Sequence, residues 1–164
     1  MHYINHCSSP LGKITLASNG NELIGLWFEG QKYFGSTLNG EYKQKSLPVF
    51  EQTAKWLDIY FSGKNPDFTP PLFLSSTSFR NEVWKILLTI PYGKIMTYGE
   101  IAKLMAENRG VEKMSAQSVG GAVGHNPISI IVPCHRVVGT DGSLTGYAGG
   151  VDIKEKLLKI ENAL

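Results

Sequence analysis

The spacing of apolar side chains changes twice along the chain. Near the start, Lys13–Ile14–Thr15–Leu16–Ala17 steps between polar and apolar residues, Asn19–Gly20 gives a turn signal, and Leu23–Phe28 is a more apolar run. Side chains of a strand alternate faces, so this pattern predicts a two-stranded hairpin. The repeat then lengthens, because Phe50, Trp56, Leu57, Tyr60 and Phe61 recur at helical spacing within 49–61. Residues 62–76 hold Pro66, Pro70 and Pro71 without periodicity and read as a linker.

Beyond the linker the pattern is helical. Phe79, Val83, Ile86, Leu87 and Ile90 fall on one helix face, with Thr77 or Ser78 as cap and Pro91–Tyr92–Gly93 as stop. Thr97–Tyr98–Gly99–Glu100 has capping-box spacing and opens a helix through Ala106. A connector from Glu107 to Met114 leads to Ser115 and a third helix over 116–125, the skeleton of a helix-turn-helix. The predicted fold is an α/β N-terminal domain (a small sheet plus a helix) over 1–75. A mainly α C-terminal domain with the helix-turn-helix follows over 76–164.

The third helix is unusual in composition. Ala116, Val119 and Val123 form an apolar stripe, while Gln117, Gly121 and Gly124 collect on the opposite side. Each glycine inside a helix costs about 1 kcal/mol relative to alanine. Two readings fit: tight packing against a neighbour, or a face stripped so that a bulky partner such as a nucleic-acid backbone approaches closely. Asn126–Pro127 breaks the helix, and 128–132 is an apolar run long enough for one buried strand. Asp152–x–x–Glu155 has N-capping spacing for a final helix whose stripe is Ile153, Leu157, Ile160 and Leu164.

Composition narrows the class. The 164 residues are 42% hydrophobic and 18% charged, which excludes a disordered tail or low-complexity chain. No secretory signal is visible, and the longest apolar runs are five to six residues, against ~20 for a membrane span. The expectation is a cytoplasmic protein without a membrane segment, in a compartment that keeps thiols reduced. Cys7 and Cys134 belong to no CxxC pair, and His2, His6 and Cys7 are too few for a metal site, so no metal is expected. The net charge of +2 is small for a nucleic-acid binder. Residues 1–75 carry six basic and six acidic side chains and residues 76–164 carry ten and eight, so the excess lies in the second half.

The candidate chemistry sits at Pro133–Cys134–His135–Arg136–Val137. A thiol of ordinary pKa is only a few per cent thiolate at neutral pH, and an adjacent imidazole or cation raises that fraction. A general base also needs an orienting group. Glu161 projects from the flank of the last stripe, where it is either a solvated terminal residue or the acid that holds His135 in its working tautomer.

Ile131–Val132–Pro133–Cys134–His135–Arg136–Val137–Val138 resembles the active-site signature of the O6-alkylguanine-DNA alkyltransferases. The resemblance extends over Phe79–Arg80–x–x–Val83–Trp84, Ile90–Pro91–x–Gly93, Thr97–Tyr98, Val119–Gly120–Gly121–Ala122, Asn126–Pro127 and Tyr147–x–Gly149–Gly150. It implies DNA repair by direct transfer of an alkyl group from O6-alkylguanine, flipped out through the minor groove of double-stranded DNA, to Cys134. It also implies that each molecule acts once, as a monomer, with no cofactor. By position it makes His135 the base, Glu161 its orienting acid and Asn126 the hinge. Tyr98, Val137, Tyr147, Ala148 and Gly149 would surround the base. Tyr98, Ser115, Gln117, Gly121, Gly124 and Arg136 would form the DNA face, with Arg136 more a local brace than a substrate contact. O4-alkylthymine stays open as a second lesion. Three features depart from the family pattern: Gln117 stands where an arginine usually enters the base stack, the connector is long, and Ala148 replaces a hydroxyl residue of some relatives. Arg109 and Lys113 of the connector region are candidate replacement phosphate contacts.

Overall fold

A computed structural model describes residues 1–164. The chain forms two compact units, Met1–Leu74 with Pro127–Ile131, and Ser75–Asn126 with Val132–Leu164. The observed division differs from the predicted one in two places: Ser75 belongs to the second unit, and the short stretch 127–131 belongs to the first.

The first unit is built on a four-stranded sheet of order β3-β2-β1-β4. The strands are β1 (His2–Ser9), β2 (Gly12–Ser18), β3 (Leu23–Phe28) and β4 (Tyr42–Gln44). The predicted hairpin is β2–β3, antiparallel with Ile14 opposite Phe28 and Leu16 opposite Leu26. β1 and β4 were not predicted: β1 mixes Asn5, His6 and Cys7 with little alternation, and β4 has three exposed residues. Helix α1 (Pro48–Phe61) packs against β1 and β2 with Val49, Phe50, Trp56, Leu57 and Tyr60 buried. Pro48 at its first turn needs no hydrogen-bond partner for the N–H it lacks.

The apolar run 128–132 is not a strand. Only Ile128 forms a bridge, to Leu26, where Leu26 N–H donates to Pro127 O (2.9 Å) and Ser129 N–H donates to Leu26 O (3.0 Å). The chain then turns, with Ile130 in the left-handed region at φ 70°. That conformation is costly for a β-branched side chain and breaks any strand there.

The second unit contains α2 (Ser78–Leu87), β5 (Met96–Thr97), α3 (Tyr98–Arg109), α4 (Ala116–Gly124), β6 (Val137–Val138) and α5 (Val151–Ile160). Thr77 caps α2 by accepting from Arg80 N–H, and Thr97 with Glu100 forms the expected capping box on α3. Helix α3 runs three residues beyond Ala106, so the connector to α4 is shorter than predicted. α2, α3 and α4 pack on one another, giving the helix-turn-helix. In α4 the buried residues are Val119, Ala122 and Val123, whereas Ala116 is exposed in the first turn. Trp84 of α2 donates its indole N–H to Ala122 O (2.9 Å), adding a bond to a helix weakened by glycine. The cap of α5 is Gly150 with no side-chain bond, so Asp152 does not play the predicted capping role.

Candidate active site

Cys134, His135 and Arg136 occupy one turn of 3-10 helix, and all three side chains are buried. The turn is held on both flanks. On the C-terminal side, β6 pairs in parallel with β5, Val137 beside Met96 and Val138 beside Thr97. Thr97 is also the cap of α3, so this ladder fixes Tyr98 relative to the reactive turn. On the N-terminal side, Asn126 donates its side-chain N–H to Val132 O (2.8 Å), closing the base of the excursion 127–131. Helix α5 packs against the same turn.

Glu161, at the C-terminal cap of α5, points inward and is 3% exposed. Its Oε1 accepts from Arg136 Nε (2.8 Å) and from the backbone N–H of Gly93 (3.0 Å), and its Oε2 accepts from His135 Nε2 (2.5 Å). A carboxylate can only accept, so the His135 proton sits on Nε2 and the ring's lone pair is on Nδ1. Burial pushes the His135 pKa below 6.5, and Arg136 and Lys154 push the same way against the pull of Glu161. The imidazole is therefore neutral at pH 7, as a proton acceptor must be.

Arg136 makes a second bond, from Nη1 to Ile90 O (2.7 Å), and its guanidinium lies 5.8 Å from the Tyr92 ring. This corrects its place among the DNA-face residues. The guanidinium is turned into the unit and braces Glu161, because a buried carboxylate needs a charged partner. Gly93 was missed in the sequence as part of this site. Its φ of 78° is a left-handed value, and an added Cβ would stand 3.1 Å from Glu161 O, so the turn after Pro91 requires glycine to bring its N–H to the carboxylate.

Burial pushes the Cys134 thiol up to about 11, opposed by hydrogen bonding from Asn126, the charge of Lys154 and the backbone N–H groups of Cys134 and His135. The thiol is neutral at rest, yet donors that favour a thiolate already surround it. Tyr98 donates its hydroxyl to Thr145 O (3.1 Å), and its ring edge lies against Gly120 of α4. Burial, then the Cys134 charge, pushes its phenol up to about 12, so it is a hydrogen-bond donor at pH 7. A Cβ on Gly146, whose φ is 93°, would come within 2.7 Å of the Tyr98 oxygen, and one on Gly124 within 3.8 Å of Gly146 O. Tyr98 thus links α4 to the loop before α5.

The structure brings Cys134, His135, Glu161, Arg136, Asn126 and Tyr98 into one connected site. Val137 and Tyr147 are buried, and Ala148 and Gly149 are half-buried in the turn leading to α5. On the outer face of α4, Gln117 and Gly121 are exposed, while Ser115 uses its hydroxyl to accept from Ser118 N–H (3.2 Å) as the helix cap. Arg109 is not an open phosphate contact. Its guanidinium donates twice to Glu82 at 3.0 Å and lies 5.4 Å from the Phe79 ring, which ties α3 to α2.

Comparison with known proteins gives the same answer over both units. Residues 78–163 match the family described as 6-O-methylguanine DNA methyltransferase, DNA binding domain, and residues 2–74 match its ribonuclease-like domain. The chain is 42% identical over 163 residues to the methylated-DNA–protein-cysteine methyltransferase of Mycobacterium bovis, covering 99% of this chain and 93% of the relative. It is 44% identical over 160 residues to the Methanosarcina barkeri protein of that name, covering 97% and 96%. The crystal structure of Mycobacterium tuberculosis OGT in complex with DNA superposes with a TM-score of 0.84 at 41% identity, covering 98% of this chain and 93% of that one. The chain belongs to the 6-O-methylguanine DNA methyltransferase family.

Proposed function

We propose that the protein repairs O6-alkylguanine in double-stranded DNA by moving the alkyl group onto Sγ of Cys134. The observation that carries this reading is the buried chain Arg136–Glu161–His135, set in the same turn as a thiol surrounded by donors. It is supported by relatives named methylated-DNA–protein-cysteine methyltransferases and by a similar structure solved with DNA.

The chemistry is a displacement at carbon. His135 Nδ1 takes the Cys134 proton through a water, with the Nε2 proton held on Glu161. The thiolate forms the S–C bond as the C–O6 bond breaks, and the guanine leaves with the electron pair. The proton given up by the thiol ends on the guanine, so the products are a thioether and unmodified guanine. Tyr98, protonated at neutral pH and bonded to Thr145 O in the free protein, is the side chain we assign to stabilise charge on the leaving base, exchanging that bond when the base enters.

The O6 substituent cannot be reached inside a duplex, so the base must leave the stack. The exposed, glycine-rich face of α4 lets the DNA backbone approach closely, and Gln117 is the side chain placed to fill the vacated stack. The small positive excess predicts few phosphate contacts and modest affinity. A thioether has no hydrolytic exit, so each monomer acts once. We place the reaction in the cytoplasm, where the thiol pool keeps both free cysteines reduced. With methylated duplex in excess, guanine restored should plateau at one equivalent of protein; continued turnover would refute the reading.

A further inference from the structure

The three glycines of α4 do not have the same surroundings. A Cβ on Gly120 would meet the Tyr98 ring at 3.8 Å and one on Gly124 would meet Gly146 O at 3.8 Å, so both sit against the protein's own atoms. A Cβ on Gly121 would meet nothing within 4 Å, and its backbone lies outside the left-handed region. Neither packing nor conformation asks for glycine there, yet glycine weakens the helix. The space over it is kept for something outside the chain. One turn on stands His125, on the same face, since Gln117, Gly121 and His125 are spaced i, i+4 and i+8. Gln117 and Gly121 are exposed and His125 is half-exposed. His125 closes α4 by donating its backbone N–H (3.2 Å) and its ring Nδ1 (2.7 Å) to Gly121 O. A carbonyl only accepts, so one ring proton sits on Nδ1, and Nε2 is the nitrogen that can gain another. No residue within α4 is acidic or basic, which makes His125 the ionisable side chain of this face.

We propose that His125 is a phosphate contact of α4: a DNA phosphate seats in the gap over Gly121, and the imidazole takes up a proton on Nε2 and donates it in a hydrogen bond to that phosphate. The inference rests on the reading of α4 as the DNA face. The proton comes from solvent, and no other bond is made or broken. An imidazole is the side chain that gains charge near neutral pH, and the C-terminal end of a helix favours a cation. The bond to Gly121 O holds the ring before DNA arrives, so little side-chain freedom is lost on binding. The side chains set against α4 from its neighbours are Trp84 of α2 and Tyr98 of α3; of these only Tyr98 titrates, and it keeps its proton at neutral pH. The charge is made on binding rather than carried beforehand, which fits a helix with no fixed cation of its own.

The test measures binding of a short unmodified duplex by fluorescence anisotropy across a salt series, with His125→Gln, His125→Arg and Gly121→Ala beside the full-length wild type. His125→Gln should weaken binding about tenfold at neutral pH and lower the salt slope by about 1, the mark of one lost phosphate contact. Calorimetry in two buffers of different ionisation enthalpy should show proton uptake on binding by wild type and less by His125→Gln. His125→Arg is permanently charged, so it should bind at least as tightly as wild type with the same reduced uptake. Gly121→Ala should melt about 2–4 °C higher, because alanine is the better helix former, and yet bind more weakly, because its methyl group fills the gap. A His125→Gln protein with wild-type affinity, salt slope and proton uptake overturns the proposal and leaves the imidazole as a helix cap. So does a loss in His125→Gln that His125→Arg fails to restore, or a Gly121→Ala protein that binds as wild type does. Failure of the transfer reading would look different: wild type would bind with the same slope and uptake but gain no methyl group on Cys134 from a methylated duplex.

Discussion

Glu161→Gln is the sharpest single perturbation of the site. The substitution keeps size and shape but removes the charge that three donors share: Arg136 Nε at 2.8 Å, Gly93 N–H at 3.0 Å and His135 Nε2 at 2.5 Å. The amide oxygen can still accept from Arg136 and Gly93, which leaves its NH2 group facing His135 Nε2. Two donors cannot bond each other, so the imidazole must move its proton to Nδ1, the nitrogen needed as base. In the serine-protease triad the corresponding carboxylate-to-amide change lowers the rate by ~10⁴, through the same tautomer error. A comparable loss is expected here in single-turnover transfer from an O6-methylguanine duplex, with DNA affinity unchanged. Stability should fall too, because removing one partner of a buried ion pair costs about 3–5 kcal/mol, or roughly 6–20 °C in melting temperature for a chain of this size. A folded Glu161→Gln protein that transfers methyl within about threefold of wild type would refute the relay, since a tautomer error alone predicts ~10⁴.

Three further outcomes follow from the same geometry. Arg136→Met should destabilise by about 3–5 kcal/mol in denaturant unfolding, with DNA affinity within about twofold of wild type; weak DNA binding at full stability would return the guanidinium to the DNA face. Gln117→Ala should slow transfer from duplex DNA by up to about tenfold, the worth of one lost hydrogen bond, and leave transfer from free O6-benzylguanine unchanged; equal losses on both would make Gln117 a packing residue. The folded His135 pKa lies below the 6.5 of the free side chain, so the rate should hold at pH 6.5 and fall only at lower pH. Stability conferred by the neutral imidazole is present above 6.5 and is lost as pH falls through the lowered folded value, which acid titration of the melting temperature can follow.

The parts of the molecule legible in the sequence are those specified by local rules. The β2–β3 hairpin, α1, α2 and the capping box of α3 each follow from periodicity or cap chemistry within a few residues. The parts that were not legible depend on distant partners. β1 and β4 lack alternation and exist because β1 pairs with β2 on one side and β4 pairs with β1 on the other. The 128–132 run has strand composition, but Leu26 holds only its start and Ile130 turns the chain away. The site divides the same way. Cys134 and His135 could be picked out as neighbours and Glu161 as a carboxylate on an apolar flank. The inward turn of Arg136, the Gly93 N–H and the burial of Lys154 are tertiary facts. Two of them left faint signals: a glycine after Pro91–Tyr92, and a lysine a helical turn before Leu157 and Leu158.

The central claim is that Cys134 itself receives the alkyl group. Intact-mass measurement after incubation with O6-methylguanine duplex tests it most directly. One molecule should gain the mass of a single CH2, located on the peptide that contains Cys134, and Cys134→Ala should gain nothing. A methyl group found on Cys7, or a wild-type protein that restores guanine while keeping its original mass, would contradict the account.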